Sequence, residues 1–281
     1  MSTIGTPDTL PSEPLLTAPD LTPDDFRRVR QIAYERAGLA IPAGKEGLVR
    51  SRVSKRLRDG QVATFRAYLD GVEANPNGEE MVRLIDLLTT NKTDFFREPA
   101  HFDFLRNQVL PGVVASGRPL RIWSAGCSTG EEPYTLAMVL RESLPARHDF
   151  RILATDICTR VVAAARAGTF SAQQLSDVSR ERRARWFTAT PDGGGTVGPE
   201  LRTPISFAHL NLMAPWPMSG PFDAIFCRNV MIYFDKPTVT RLVGRFHELL
   251  APGGHLFIGH SESLTAVEHR YRYVQPAVYA K

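Results

Sequence analysis

Gly126-Cys-Ser-Thr-Gly130 runs directly into Glu131 and Glu132, followed by Pro133. Small residues at 126, 128 and 130 let a backbone turn sharply and approach a ligand closely, and Pro133 suits the first turn of a helix. The turn matches neither the Gly-x-Gly-x-x-Gly of dinucleotide folds nor the Gly-Lys-Ser/Thr of phosphate loops. Two adjacent carboxylates would repel a pyrophosphate. They suit a ligand with a positive charge and hydroxyl or amino donors, and S-adenosylmethionine is such a ligand. A Gly-rich turn of this kind can equally be a plain tight connection.

About thirty residues on, Asp156 closes the apolar run Phe150–Asp156, where a carboxylate can accept both ribose hydroxyls or merely cap the next helix. Upstream, Asn91-Lys-Thr-Asp-Phe-Phe-Arg-Glu98 has neither helical nor strand periodicity. It reads as a structured linker carrying function, or as a connector whose Phe95 and Phe96 plug the core. The densest basic cluster is Arg50, Arg52, Lys55, Arg56 and Arg58, arrayed around Val49, Val53 and Leu57. Such a face is either solvated or a dock for an acidic partner. Cys127, Cys158 and Cys227 are widely spaced and belong to no ligand-spaced Cys/His group, so reduced thiols are expected and a structural zinc is not.

These residues need a scaffold, and the pattern predicts an α/β one. Leu120, Ile122 and Trp123 form a strand before the turn, with Leu136, Val139 and Leu140 at helical spacing after it. Residues 1–19, with four prolines, read as a flexible tail. Thr22-Pro-Asp-Asp25 starts the first of four short helices, giving an N-terminal helical domain over 20–90, the functional linker over 91–98 and an α/β domain over 99–281. Asp192-Gly-Gly-Gly195 and a hairpin arm from Thr196 to Arg202 suggest a small inserted β-subdomain at about 188–204. The last strands, near 271–274 and 277–279, are too close together for a helical crossover and should pair antiparallel. A mostly parallel sheet ending in an antiparallel hairpin distinguishes a methyltransferase from a nucleotide dehydrogenase. The 281 residues carry a net charge of +4 and 43% hydrophobic residues, an ordinary globular composition. With no signal-peptide pattern and no apolar run of membrane-spanning length, the expected location is the cytoplasm.

Taken in order, Asn-x-Thr-x-Phe-Phe-Arg-Glu (91–98), the string from Trp123 to Tyr134, Ala-Thr-Asp (154–156), Asn-Leu (211–212) and Phe-Cys-Arg-Asn-Val-Met-Ile-Tyr-Phe (226–234) closely resemble the chemotaxis-receptor methyltransferases, the CheR family. The resemblance covers about residues 20–281. It implies a class I S-adenosylmethionine-dependent methyltransferase fold with an all-helical N-terminal domain and an inserted β-subdomain. It also implies methyl esterification of glutamates on the cytoplasmic coiled coils of chemoreceptors, yielding S-adenosylhomocysteine without a metal. By motif correspondence the cofactor contacts fall on Asn91, Thr93, Arg97, Glu131, Asp156, Asn211, Leu212, Arg228 and Asn229. Arg97 and Tyr233 are placed nearest the reacting methyl group.

The resemblance also turns Arg50, Arg52, Lys55, Arg56 and Arg58 into an expected receptor dock. It further suggests that a receptor C-terminal peptide could join the β-subdomain by strand addition, although no side-chain pattern near 188–204 reads as a peptide site. A monomer is expected. The other readings are a non-catalytic cofactor-binding adaptor and a nucleic-acid methyltransferase; the latter lacks an Asp/Asn-Pro-Pro-Tyr-like string.

Overall fold

A computed structural model describes residues 19–281. Apart from Pro19, the expected tail lies outside the described residues. Helix α1 (Pro23–Ala37) starts as its sequence dictates. Pro23 takes the first position, the Thr22 hydroxyl accepts the Asp25 N–H at 3.2 Å, and Gly38, at φ 71°, ends the helix. Helices α2 (Glu46–Asp59), α3 (Phe65–Ala74) and α4 (Glu79–Leu88) complete the N-terminal domain. Helices this short are marginal alone, and these are held by a shared core that includes Val29, Val53, Leu57, Leu69 and Leu84.

The linker leads into α5 (Ala100–Phe104), which continues through one π-helical turn, Leu105–Val109, into α6 (Leu110–Ser116). The α/β domain then alternates β1 (Leu120–Ala125), α7 (Glu131–Ser143), β2 (Phe150–Asp156) and α8 (Thr159–Ala167). After a small insertion come β6 (Ile205–His209), β7 (Phe222–Cys227), α11 (Lys236–Leu249), β8 (Leu250–Ile258), β9 (Arg272–Gln275) and β10 (Val278–Ala280). The sheet order is β6-β2-β1-β7-β8-β10-β9. Its first five strands are parallel, whereas β10 runs antiparallel to both β8 and β9, as the short final connection requires. Every residue of β7 is buried, as in a strand covered on both faces, and Asp223 is the one charged residue in its otherwise apolar run.

The insertion differs from the sequence reading. Its sheet, ordered β3-β5-β4, takes β3 from Thr169–Phe170, β4 from Phe187–Ala189 and β5 from Gly195–Val197. Between β3 and β4 lies α9 (Arg180–Trp186), and the expected hairpin arm 196–202 divides into the end of β5 and α10 (Pro199–Arg202). The subdomain therefore begins near 169 rather than 188. A two-residue strand has no periodicity to read, and Gly198-Pro199 stops β5 and starts a helix. Among the described residues no helix is long and apolar enough to cross a membrane.

Candidate active site

A cavity of about 970 Å³, its open mouth included, lies at the carboxyl ends of the strands. It sits where the chain order reverses, with β1 flanked by β2 on one side and β7 on the other, the usual ligand crevice of an open α/β sheet. Gly126 and Ser128 follow β1, Asp156 ends β2, Leu210, Asn211 and Leu212 follow β6, and Arg228, Asn229 and Val230 follow β7; all line the cavity. The N-terminal domain and the linker close the opposite side with Leu39, Leu88, Asn91, Thr93, Asp94 and Arg97.

The turn after β1 is shaped by necessity. Gly126 has φ 95°, and a Cβ there would stand 2.4 Å from Val230 Cγ2. Gly130 has φ 102°, with a would-be Cβ 3.0 Å from that of Ala165. No other residue fits either place without strain. The Ser128 N–H donates to Asp156 Oδ2 at 2.9 Å, and its hydroxyl donates to the Asn91 carbonyl at 2.8 Å, so one residue ties the turn both to β2 and to the linker. Asp156 also accepts the Cys158 N–H at 2.9 Å. Burial pushes its carboxyl above the usual range despite these bonds.

Two arginines on this cavity contrast sharply. Arg228 is buried, 2.9 Å from Glu132 and 3.1 Å from Glu98, and also donates to the Arg97 carbonyl. Burial works to raise the Glu98 pKa, but the Arg228 charge and the His260 N–H override it and hold the carboxyl below the ordinary range. Arg97 has no carboxylate partner among the described residues, and its guanidinium donates to the Lys92 carbonyl at 3.2 Å. The linker that carries it is pinned on both sides. Phe95 is buried, edge-on to Phe170 at 4.9 Å, and the Phe96 N–H donates to Thr135 at 3.2 Å. Phe95 thus plugs the core while the same segment lines the cavity.

Asn91, Thr93, Arg97, Asp156, Asn211, Leu212, Arg228, Asn229 and Tyr233 all meet at this cavity; Glu131 does not. Its carboxylate is buried on the other side of the helix start, accepting from Thr129 at 2.6 Å and Gln174 at 3.0 Å, and burial raises its pKa. Glu132 lines the cavity in its place, held by Ser124 at 2.7 Å as well as by Arg228. Adjacent helix positions point about 100° apart, and the sequence holds no signal that chooses between two neighbouring glutamates. The Asn211 side chain is also occupied, donating to the Arg36 carbonyl at 2.5 Å and accepting from the Met213 N–H at 2.9 Å. It joins the two domains, leaving backbone and Leu212 to face a ligand.

The basic helix α2 is divided as well. Arg52 donates to the Leu88 and Thr89 carbonyls at 2.8 and 3.0 Å and to the Thr90 hydroxyl at 2.9 Å, closing the end of α4. Arg56 is clamped to Glu80, and Arg50 lies 3.3 Å from Asp20. Lys55 and Arg58 are exposed, with no side-chain partner among the described residues. The expected five-residue dock is therefore partly an internal scaffold, because two of its cations sit beside the acidic and carbonyl groups of α4.

Two family models match the chain: the CheR methyltransferase all-alpha domain over residues 24–89 and the CheR methyltransferase SAM binding domain over residues 91–280. The chain belongs to the CheR methyltransferase family. Its relatives include a probable chemotaxis protein methyltransferase of Rhizobium etli, 44% identical over 83% of this chain and 90% of that protein. Chemotaxis protein methyltransferase 2 of Pseudomonas aeruginosa is 41% identical over 92% and 93% of the two chains. The chemotaxis protein methyltransferase of Escherichia coli is 41% identical over 91% and 90%. Membership makes the chain an S-adenosylmethionine-dependent methyltransferase of chemotaxis, and the all-alpha domain is the roof over the cavity.

Proposed function

We propose that the protein is a cytoplasmic protein-glutamate O-methyltransferase that esterifies specific glutamates on the coiled-coil cytoplasmic rods of chemoreceptors. The observation that carries this reading is Arg97, a cation on the cavity wall with no carboxylate of its own, in a cavity that Tyr233 also lines. An unpaired guanidinium is suited to a carboxylate that arrives with a ligand.

The cavity residues fit S-adenosylmethionine. Asp156 would accept the ribose hydroxyls, Leu212 and the Asn211 backbone would hold the adenine edge, and Glu132 would face the positively charged end. Bound there, the cofactor supplies an electrophilic methyl group on a cationic sulfur. The chain's own residues then have one main task, which is positioning. A glutamate has a pKa near 4.3 in the absence of perturbation and arrives ionised at neutral pH, so no general base is needed. Arg97 and Tyr233 orient one carboxylate oxygen and leave the other free to attack. A guanidinium gripping both oxygens would lower their nucleophilicity.

Lys55 and Arg58, the unpaired cations of α2, provide the docking charge for an acidic helical receptor. The test is transfer of labelled methyl from S-adenosylmethionine to a purified receptor cytoplasmic fragment, followed by mild alkali. Label released by alkali and mapped to glutamate supports the reading. Alkali-stable label points to another acceptor atom, and cofactor binding without transfer to any receptor tried points to an adaptor.

A further inference from the structure

Behind the cavity wall, Glu98, His101 and His260 bring ligand atoms within 4.8 Å of one another. None of the three lines the cavity. His101 is fully buried, and neither of its ring nitrogens has a hydrogen-bond partner. Buried polar groups are nearly always satisfied, so a bare imidazole at the centre of a ligand cluster calls for an occupant. His260 is exposed and opens the cluster to solvent.

The distances suit a small cation. Zinc bonds of about 2.0–2.1 Å to nitrogen and oxygen set the edges of a tetrahedral site near 3.3 Å. His101 Nδ1 already lies 3.5 Å from Glu98 Oε2. The remaining slack can be taken up by the His260 side chain, whose ring stands edge-on to His101 at 5.0 Å. The Arg228 guanidinium opposes a dication here. It is shared between two carboxylates, however, and Glu132 keeps it paired when Glu98 turns away.

We propose that Glu98, His101 and His260 form an inhibitory site for a zinc-class divalent transition metal, which acts by competing for Glu98 Oε2, the oxygen that Arg228 holds at 3.1 Å. The consequence reaches the reaction centre along the chain. Arg97 sits between Phe96 and Glu98, both at φ 56°, and its carbonyl is held by Arg228. Two residues in the left-handed region persist only while their surroundings hold them. Metal capture of Glu98 loosens that clamp and displaces Arg97.

Cobalt(II) titration tests the site directly, because a tetrahedral nitrogen/oxygen site gives a strong visible absorption that zinc then abolishes. The wild-type chain should bind one equivalent. His260→Ala should weaken binding by more than the roughly 10–100-fold that loss of an outer-shell partner brings, whereas a control at another exposed histidine, His209→Ala, should bind as wild type does. No tetrahedral spectrum, or equal saturation of wild type and His260→Ala, overturns the proposal. Zinc should also inhibit methyl transfer by wild type but not by His260→Ala, reversibly with chelator; full activity of the zinc-loaded wild type overturns the inhibitory role. Only this last arm rests on the reaction proposed above. Failure of metal-free protein to methylate any receptor would strike that reaction and leave the spectroscopic result standing.

Discussion

Arg97 and Arg228 share one cavity, yet one is bound to two carboxylates and the other to none. The difference separates scaffold from chemistry. A buried cation with two anionic partners is a structural joint, fixing α7, the linker and the β7 loop to one another. An unpaired cation retains its interaction energy for a ligand. Helix α2 repeats the contrast at the surface, where Arg52 and Arg56 are tied to α4 while Lys55 and Arg58 face solvent.

Breaking the joint should give the largest effect. Arg228→Ala leaves Glu98 and Glu132 without their cation, and removal of one partner from a buried pair costs about 3–5 kcal/mol. Urea unfolding should show that loss. A change below about 1 kcal/mol would mean that Arg228 is not a joint.

Asp156 gives the next effect. If it holds the ribose, Asp156→Asn should weaken cofactor affinity by about tenfold or more, measured by calorimetry, since charge-assisted bonds are worth about 1.5–3 kcal/mol. Burial raises its pKa, so on acidification it takes up a proton earlier than an exposed aspartate and wild-type affinity should fall in that window. A carboxylate with a raised folded pKa makes the fold more stable, not less, as pH falls through that range. The affinity loss would therefore not be unfolding, and Asp156→Asn should abolish this pH dependence.

On α2, Arg52→Ala should cost about 1–2 kcal/mol of stability, the worth of its bonds to the end of α4. Lys55→Ala and Arg58→Ala should change stability by less than about 0.5 kcal/mol. They should raise the KM for receptor severalfold at low salt and hardly at all at high salt, where screening removes the attraction. Equal behaviour of Arg52 and Arg58 in both assays would dissolve the distinction between internal and outward cations.

Much of this organisation could be read before any coordinates. The α1 cap at Thr22, the glycines of the turn and the antiparallel final hairpin follow from local rules, because each depends on residues close in the chain. The failures share a different cause. Glu131 and Glu132 are equivalent on paper and part only when the helix direction is known. Arg52 and Arg56 look like free charge until α4 folds back on them. β3 has two residues, too few for a period, and its partner lies more than twenty residues downstream. The Glu98, His101 and His260 cluster was invisible for the same reason, its third member arriving 162 residues after the first. Cys127, Cys158 and Cys227, the residues on which the spacing was read, take no part in the cluster.

The most direct measurement is the methyl-transfer rate of Arg97→Ala at saturating cofactor and receptor, taken beside its urea midpoint. An unpaired cation that works on the incoming carboxylate predicts a rate lower by about 10²–10³, the cost of removing one charge-stabilising donor, with the midpoint unmoved. A normal rate, or a rate lost together with the fold, would contradict the account.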